Sequence, residues 1–253
     1  MPSLYSTSHS HKKNGRWHIL QSLFFIFICC LAVFFFLQSS FFQVKEIAVR
    51  GNKGFSAAEV VSLSGLSAGV NIFKANLKQA ESKVAMHPVI QSVLISRDFP
   101  AAIIIEVRER QQAALVYSED SFAVISSDGY CLAKESSLGR TNLPIITGAE
   151  IGSPAPGQKV PGEKLAAALD YLQAMPVNLR AAVSELNVTD LNNIRMYTMD
   201  KAEVRFGDTE RIPEKINLYQ EVIRQKYANK IQYIDISYKG SPVIKFTGKQ
   251  EKQ

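Results

Sequence analysis

Hydrophobic positions along this chain follow three successive rhythms. The first is unbroken. From Ile19 to Leu37 the chain reads ILQSLFFIFICCLAVFFFL, with no charged residue. At a helical rise of about 1.5 Å per residue this run spans roughly 28 Å, close to a hydrocarbon core. Trp17 stands at one edge and Phe41-Phe42 beyond the other, where interfacial aromatics belong. A cleaved signal sequence has a shorter apolar run and then a small-residue site. Here Gln38-Ser39-Ser40-Phe41-Phe42 follows, so the pattern predicts an uncleaved membrane anchor.

The second rhythm, over 43–110, mixes periods of 2 and 3.6. QVKEIAVRGN alternates, placing Ile47 and Val49 on one face before the Gly51-Asn52 turn. SAAEVVSLSG opens with Ser56 and Glu59 at capping-box spacing and closes on Gly65, which marks a short helix. Phe73, Leu77, Ala80 and Val84 then share a face of a second helix, which His87-Pro88 ends. Two strands follow around the Asp98-Phe99-Pro100 turn. Val93 and Ile95 share a face of the first, and Ile103, Ile105 and Val107 a face of the second. Strand, helix, helix, strand, strand predicts two helices packed on one face of a three-stranded sheet.

The third rhythm, after Arg110, is a series of short strands. AALVY, FAVIS, YCLAK and LPIITG come first, with Asp128-Gly129 as a hairpin signal. The segment 153–163, SPAPGQKVPGE, reads as a loop. A helix from about Glu163 to Ala174 turns Leu165, Leu169 and Leu172 to one side and stops at Pro176. VSELNVTD, IRMYTM and AEVRFG read as strands. A helix over about 213–227 carries Ile212, Ile216, Tyr219, Ile223 and Tyr227 as one stripe, and strands Ile231–Tyr238 and Val243–Phe246 close the pattern. The fold class is α+β: an N-terminal transmembrane helix, a small β-α-α-β-β module, then a mixed β-rich domain with two flanking helices. The expected limits are a basic tail at 1–18, the membrane helix at 19–37, the first module at 43–110, the strand-rich domain at 111–247 and a disordered tail at 248–253.

Composition narrows the functional classes. A formal charge of +6 over 253 residues does not mark a nucleic-acid binder. Lys12, Lys13 and Arg16 place +3 in the first 18 residues, as a cytoplasmic tail against anionic lipid would. Everything after Gln38 is then extracytoplasmic. Three of the four histidines, His9, His11 and His18, fall in the tail, which leaves His87 alone outside it. Cys29 and Cys30 lie in the apolar run, Cys131 reads as a buried strand residue, and no C-x-x-C occurs. No metal or other cofactor is expected.

Several stretches together resemble one family. FQVKEIAVRGN at 42–52, GVNIFKANL at 69–77, HPVIQSVLISRDFPAAIIIEVRER at 87–110 and AALVY at 113–117 are similar, in that order, to the FtsQ/DivIB family of bacterial division proteins. The first module resembles a POTRA domain. SSDGYCL, LPIITG, AEVRFG and IQYIDISYKGSPVIKF are similar to that family's strand-rich second domain. Two residues depart from the family pattern. Ser237 stands where a basic residue often precedes the tyrosine, and Lys201 stands where a turn glycine is common.

The resemblance implies a non-enzymatic, single-pass scaffold at the septum of the inner membrane. Its C-terminal sheet edge would receive small bitopic coiled-coil division proteins of the FtsB/DivIC and FtsL type, with other septal membrane proteins as further partners. Carried over by position, the partner-binding candidates are Tyr238, Val243, Ile244 and Phe246. In strict alternation Ile244 and Phe246 face away from Val243. Two other classes are open. POTRA-containing outer-membrane assembly or secretion proteins append a barrel, for which this chain has too few long strands. A cell-wall enzyme needs an acid–base pair, for which Glu106 and Glu109 are the nearest candidates. No G-x-S-x-G, H-E-x-x-H or P-loop occurs.

Overall fold

The computed structural model describes residues 14–137, 142–225 and 230–247. The tail histidines His9 and His11, the basic pair Lys12 and Lys13, the tail at 248–253 and Tyr227 lie outside the described residues. Helix α1 (Asn14–Leu37) carries the apolar run. From Trp17 to Leu37 it is long and apolar enough to cross a membrane, and none of it is buried within the protein.

The small sheet contains β1 (Glu46–Arg50), β2 (Ile90–Asp98) and β3 (Ala102–Glu109), in the order β1-β3-β2. β1 runs parallel to β3, with Ile47 opposite Ile103 and Val49 opposite Ile105. Ile103, Ile105 and Val107 are buried, as alternation requires. Helix α2 (Ala57–Ser64) begins with the expected capping box. Ser56 Oγ accepts from the Glu59 N–H and the Glu59 carboxylate accepts from the Ser56 N–H. Gly65 ends the helix in the left-handed conformation at φ 68°, which a Cβ would disfavour.

Helix α3 (Leu77–Ala85) buries Ala80 and Val84 as predicted but begins four residues later than the apolar spacing suggested. Asn76 explains the start, because its Oδ1 accepts from the Gln79 N–H at 3.1 Å. Phe73 is therefore not on the helix. It lies in the preceding turn and is 44% exposed.

The second sheet has nine strands. They are β4 (Gln112–Ser118), β5 (Ser121–Ser126), β6 (Cys131–Glu135), β7 (Ile145–Thr147), β8 (Val183–Asn187), β9 (Ile194–Thr198), β10 (Glu203–Gly207), β11 (Ile231–Asp235) and β12 (Val243–Phe246). Their order is β12-β11-β10-β9-β8-β7-β4-β5-β6. Pairing is mixed, with β4–β7, β7–β8 and β10–β11 parallel and the remaining pairs antiparallel.

One register row crosses nearly the whole sheet. Ala123, Val116, Ile146, Leu186, Met196, Val204, Ile234 and Ile244 stand opposite one another from β5 to β12. All are buried except Ile244, which is half-buried where the row runs out.

Helices cover this apolar face. α4 (Glu163–Ala174) buries Leu165, Leu169 and Leu172, as its period demanded. Pro176 stops α4 and also caps a short helix, α5 (Val177–Arg180), that the sequence pattern did not reveal. α6 (Ile212–Arg224) buries Lys215, Ile216, Tyr219 and Val222. Its buried stripe is rotated from the predicted one, so Ile223 is exposed. The reason is Lys215. Its ammonium donates to the Asp208 carbonyl at 2.8 Å and to Asp208 Oδ1 at 2.5 Å, which turns that side of the helix inward. Tyr171 on α4 donates to the same carbonyl at 2.5 Å.

Candidate functional site

The candidate site is the β12 end of the nine-stranded sheet. Among the described strands β12 is terminal and pairs with β11, placing Val243 opposite Asp235, Ile244 opposite Ile234 and Lys245 opposite Tyr233. The N–H beyond its end fixes which backbone groups turn outward. Thr247 donates to the Lys230 carbonyl at 2.7 Å. Peptide directions alternate along a strand, so the N–H groups of Val243 and Lys245 also turn toward β11. That of Ile244 turns away from the sheet. A partner strand requires outward donors and acceptors of this kind.

The side chains of β12 divide as alternation predicts. Ile244 and Phe246 are half-buried, and Ile244 packs on the main core. Val243 is 56% exposed, and Lys245 is exposed beside it. Tyr238 is elsewhere. β11 ends at Asp235, so Tyr238 sits in the bend between the strands and is 76% exposed. Asp235 and Ser237 account for the early end, because the Asp235 carboxylate accepts from both the Ser237 N–H at 3.1 Å and its hydroxyl at 2.6 Å. Ser237 also lies over Gly207, where an added Cβ would meet the serine Cβ at 2.8 Å. Gly207, at φ 73°, lets the bend approach the end of β10. Lys201, in the β9–β10 turn, adopts φ 67°, a conformation that explains why glycine would suit that position.

A group of outer-face residues went unnoticed in the sequence. The Arg205 guanidinium lies 4.3 Å from the centre of the Tyr233 ring, and the Lys245 ammonium lies 5.7 Å from it. Glu203 joins the group, accepting from Arg205 at 3.1 Å and pairing with Arg195 at 3.4 Å. The Glu203 carboxylate holds the Arg205 proton even more firmly than usual. Simple alternation carried the signal, since it puts Lys245 on the face of Val243.

The Glu109 carboxylate accepts from the Lys53 N–H at 2.6 Å and the Gly54 N–H at 2.9 Å, so it serves as a backbone clasp. Cys131 is buried, and burial pushes its thiol up. Among the described residues, no cluster of His, Cys, Asp and Glu could hold a metal ion. An open pocket of about 470 Å³ on the inner face is lined by Tyr219, Val222, Ile231 and Ile234, among others. Burial pushes the Tyr219 hydroxyl up to about 12, and Asp200 and Lys230 stand at the same lining.

Residues 42–110 match the POTRA domain of FtsQ type, and residues 114–237 match the C-terminal domain of the cell division protein FtsQ/DivIB. The chain belongs to the FtsQ/DivIB family. It is therefore a non-enzymatic cell division protein, and the family works with divisome partners. The chain is 27% identical over 219 residues to the cell division protein DivIB of Clostridium acetobutylicum, covering 85% of this chain and 87% of that one. It is 26% identical over 224 residues to the cell division protein FtsQ of Syntrophotalea carbinolica, covering 86% and 79%. The solved major extracytoplasmic domain of Geobacillus stearothermophilus DivIB shares 16% identity over 47% of this chain and 98% of that one. Its TM-score of 0.33 is too low to bear on the fold.

Proposed function

We propose that this division protein is a single-pass scaffold of the inner membrane at the septum. In this reading Trp17–Leu37 spans the bilayer with the N-terminus in the cytoplasm, and β12 receives a strand from a small bitopic coiled-coil partner of the FtsB/DivIC or FtsL type. Other septal membrane proteins would meet the same chain.

The outward N–H of Ile244 on a terminal strand carries the reading. The Ile244 side chain sits at the end of a buried row, so the edge is held rigid while its backbone is on offer. Strand addition takes its affinity from the backbone and its selectivity from alternate side chains. Here those side chains are Val243 and Lys245 on one face, with Ile244 and Phe246 on the other. Tyr238, exposed in the bend, stands at the entrance. The anchor raises the effective concentration of partners held in the same bilayer.

Replacing Ile244 with proline tests this, because proline cannot donate to an added strand. A folded Ile244→Pro chain that captures its partner as well as the native chain would overturn strand addition at β12.

A further inference from the structure

The segment that joins α1 to the small module is not a free linker. Beyond Leu37 the chain makes a short 3₁₀ turn, Ser40–Phe42, and is then tied to residues 69–72. Val44 donates to the Val70 carbonyl at 2.9 Å, Gly69 to the Val44 carbonyl at 2.8 Å and Ile72 to the Phe42 carbonyl at 2.8 Å. The Asn71 side chain donates to the Leu37 carbonyl at 2.8 Å and so caps the end of the apolar helix. Lys74 reaches Gln38 at 3.3 Å.

The hairpin turn between β2 and β3 is fastened to the same place. Arg97 donates to the carbonyls of Ile72 at 2.8 Å and Ala75 at 3.0 Å, and Lys45 donates to the Ala101 carbonyl at 2.8 Å.

These ties assemble a row of aromatic rings that begins on the helix and continues onto the folded module. Ring centres lie 5.3 Å apart from Phe36 to Phe42, 5.2 Å from Phe42 to Phe73 and 5.5 Å from Phe73 to Phe99. Phe41 stacks beside Phe36. The row is not a core. Phe41 is 52% exposed, Phe73 44% and Phe99 56%, and Val70 is exposed next to them. Soluble surfaces rarely leave aromatic groups contiguous and uncovered without a partner for them.

The geometry points to a second membrane contact: Val70, Phe73 and Phe99 of the small module seat in the interfacial layer of the same bilayer that α1 crosses. This rests on the reading of Trp17–Leu37 as membrane-spanning. Continuity selects lipid as the occupant. Phe36 belongs to the apolar helix, and each later ring lies within one ring contact of the last. Beyond the hydrocarbon the interfacial layer is about 5–8 Å deep on each side, comparable with one step of the row. Lys74 lies beside the row with a long stem and a charged head, as a residue reaching for phosphate headgroups does. The module would thus stand on the membrane at a fixed height and would not swing on a tether.

Single tryptophan reporters in the full chain test the seat. With Trp17 replaced by phenylalanine, tryptophan is placed in turn at Phe27, Phe73 and Phe99. Each protein is reconstituted in phosphatidylethanolamine–phosphatidylglycerol vesicles whose acyl chains are brominated both near the carbonyl and near the terminal methyl, so that the bilayer centre is also within reach of a quencher, with unbrominated vesicles as the reference. All three reporters should lose emission in the brominated vesicles. Quenching of Phe27→Trp with full emission from Phe73→Trp and Phe99→Trp would overturn the seat and leave the spanning helix standing. Full emission from Phe27→Trp as well would overturn the spanning reading and the seat with it. Phe99 is on an exposed turn, so its reporter carries the test alone if tryptophan at Phe73 disturbs its segment.

Discussion

The two ends of the nine-stranded sheet are treated in opposite ways. At β6 the chain closes its own edge. Gly157 donates to the Cys131 carbonyl at 2.7 Å, Cys131 donates to the Gln158 carbonyl at 2.9 Å, and Lys159 bridges to Tyr130. The Lys134 ammonium reaches Ser153 at 2.7 Å. At β12, no described strand lies on the outer side. An open edge invites indiscriminate pairing, and proteins limit that risk with short edge strands and lysines. β12 has four residues and carries Lys245. One edge is therefore covered by a loop, while the other is short and charged and, among the described residues, has no strand beyond it. That asymmetry is what a sheet needs in order to take one strand, in one place.

The comparison can be broken in four ways. The largest effect is expected from Ile244→Pro, which removes the outward donor. Losing one or two strand hydrogen bonds at about 1–1.5 kcal/mol each should weaken partner capture roughly 10- to 100-fold, as titration calorimetry would measure. Val243→Pro is the counterpart. Its N–H turns inward to β11, so it should lower the unfolding free energy through a lost ladder bond and spare the outward donor, whereas Ile244→Pro should lose only the half-buried packing of its side chain.

The second test removes support behind the open end. Asp208→Ala leaves the buried Lys215 with only the Asp208 carbonyl. Breaking a fully buried pair costs about 3–5 kcal/mol, but Asp208 is itself partly exposed, so a loss of about 1–3 kcal/mol is expected in urea unfolding. The same contact sets a pH dependence. The Lys215 hydrogen bond holds the Asp208 carboxyl below its usual range. Its contribution is therefore complete above about pH 4 and is lost as pH falls further, toward the lowered folded value. Urea midpoints of the native chain should fall over that range by more than those of Asp208→Ala.

A third variant opens the sealed edge. Gly157 has φ 88°, where a β-branched side chain is strained. Gly157→Val should cost about 1–2 kcal/mol and loosen the loop from β6. Light scattering should then show self-association that the native chain lacks. The smallest effect belongs to Lys245→Glu, with stability unchanged within about 0.5 kcal/mol. If the incoming strand is acidic it should weaken capture at low salt and reverse its salt dependence, because repulsion replaces attraction at the rim and salt screens it.

Local chemistry made much of this molecule legible. The Ser56–Glu59 box, the Gly65 stop, the Pro176 break and the alternation of Ile103, Ile105 and Val107 all act within a few residues. The structure bears each of them out. Alternation also separated Ile244 and Phe246 from Val243 correctly. Misreadings arose where a distant group decided the matter. Phe73 has helical spacing with Leu77, but Asn76 starts the helix after it. Ile223 fits the stripe of α6, but Lys215 is pulled inward by Asp208. Tyr238 continues an apolar strand pattern, but the Asp235–Ser237 contact ends the strand before it.

The sequence by itself determined the apolar helix, the order of the longer elements and the family, because period, caps and turn residues act locally along the chain. Only the tertiary structure decided which strand lies at which end of the large sheet. Parallel pairs such as β10–β11 join segments separated by a helix, so their register is set by packing across the inner row and by no local signal. The sealing of β6 by the 153–163 loop, the outward turn of the Ile244 N–H and the gathering of Phe42, Phe73 and Phe99 beside the helix have the same origin. Each depends on residues brought together from distant points of the chain, and their contacts exist only once it has folded.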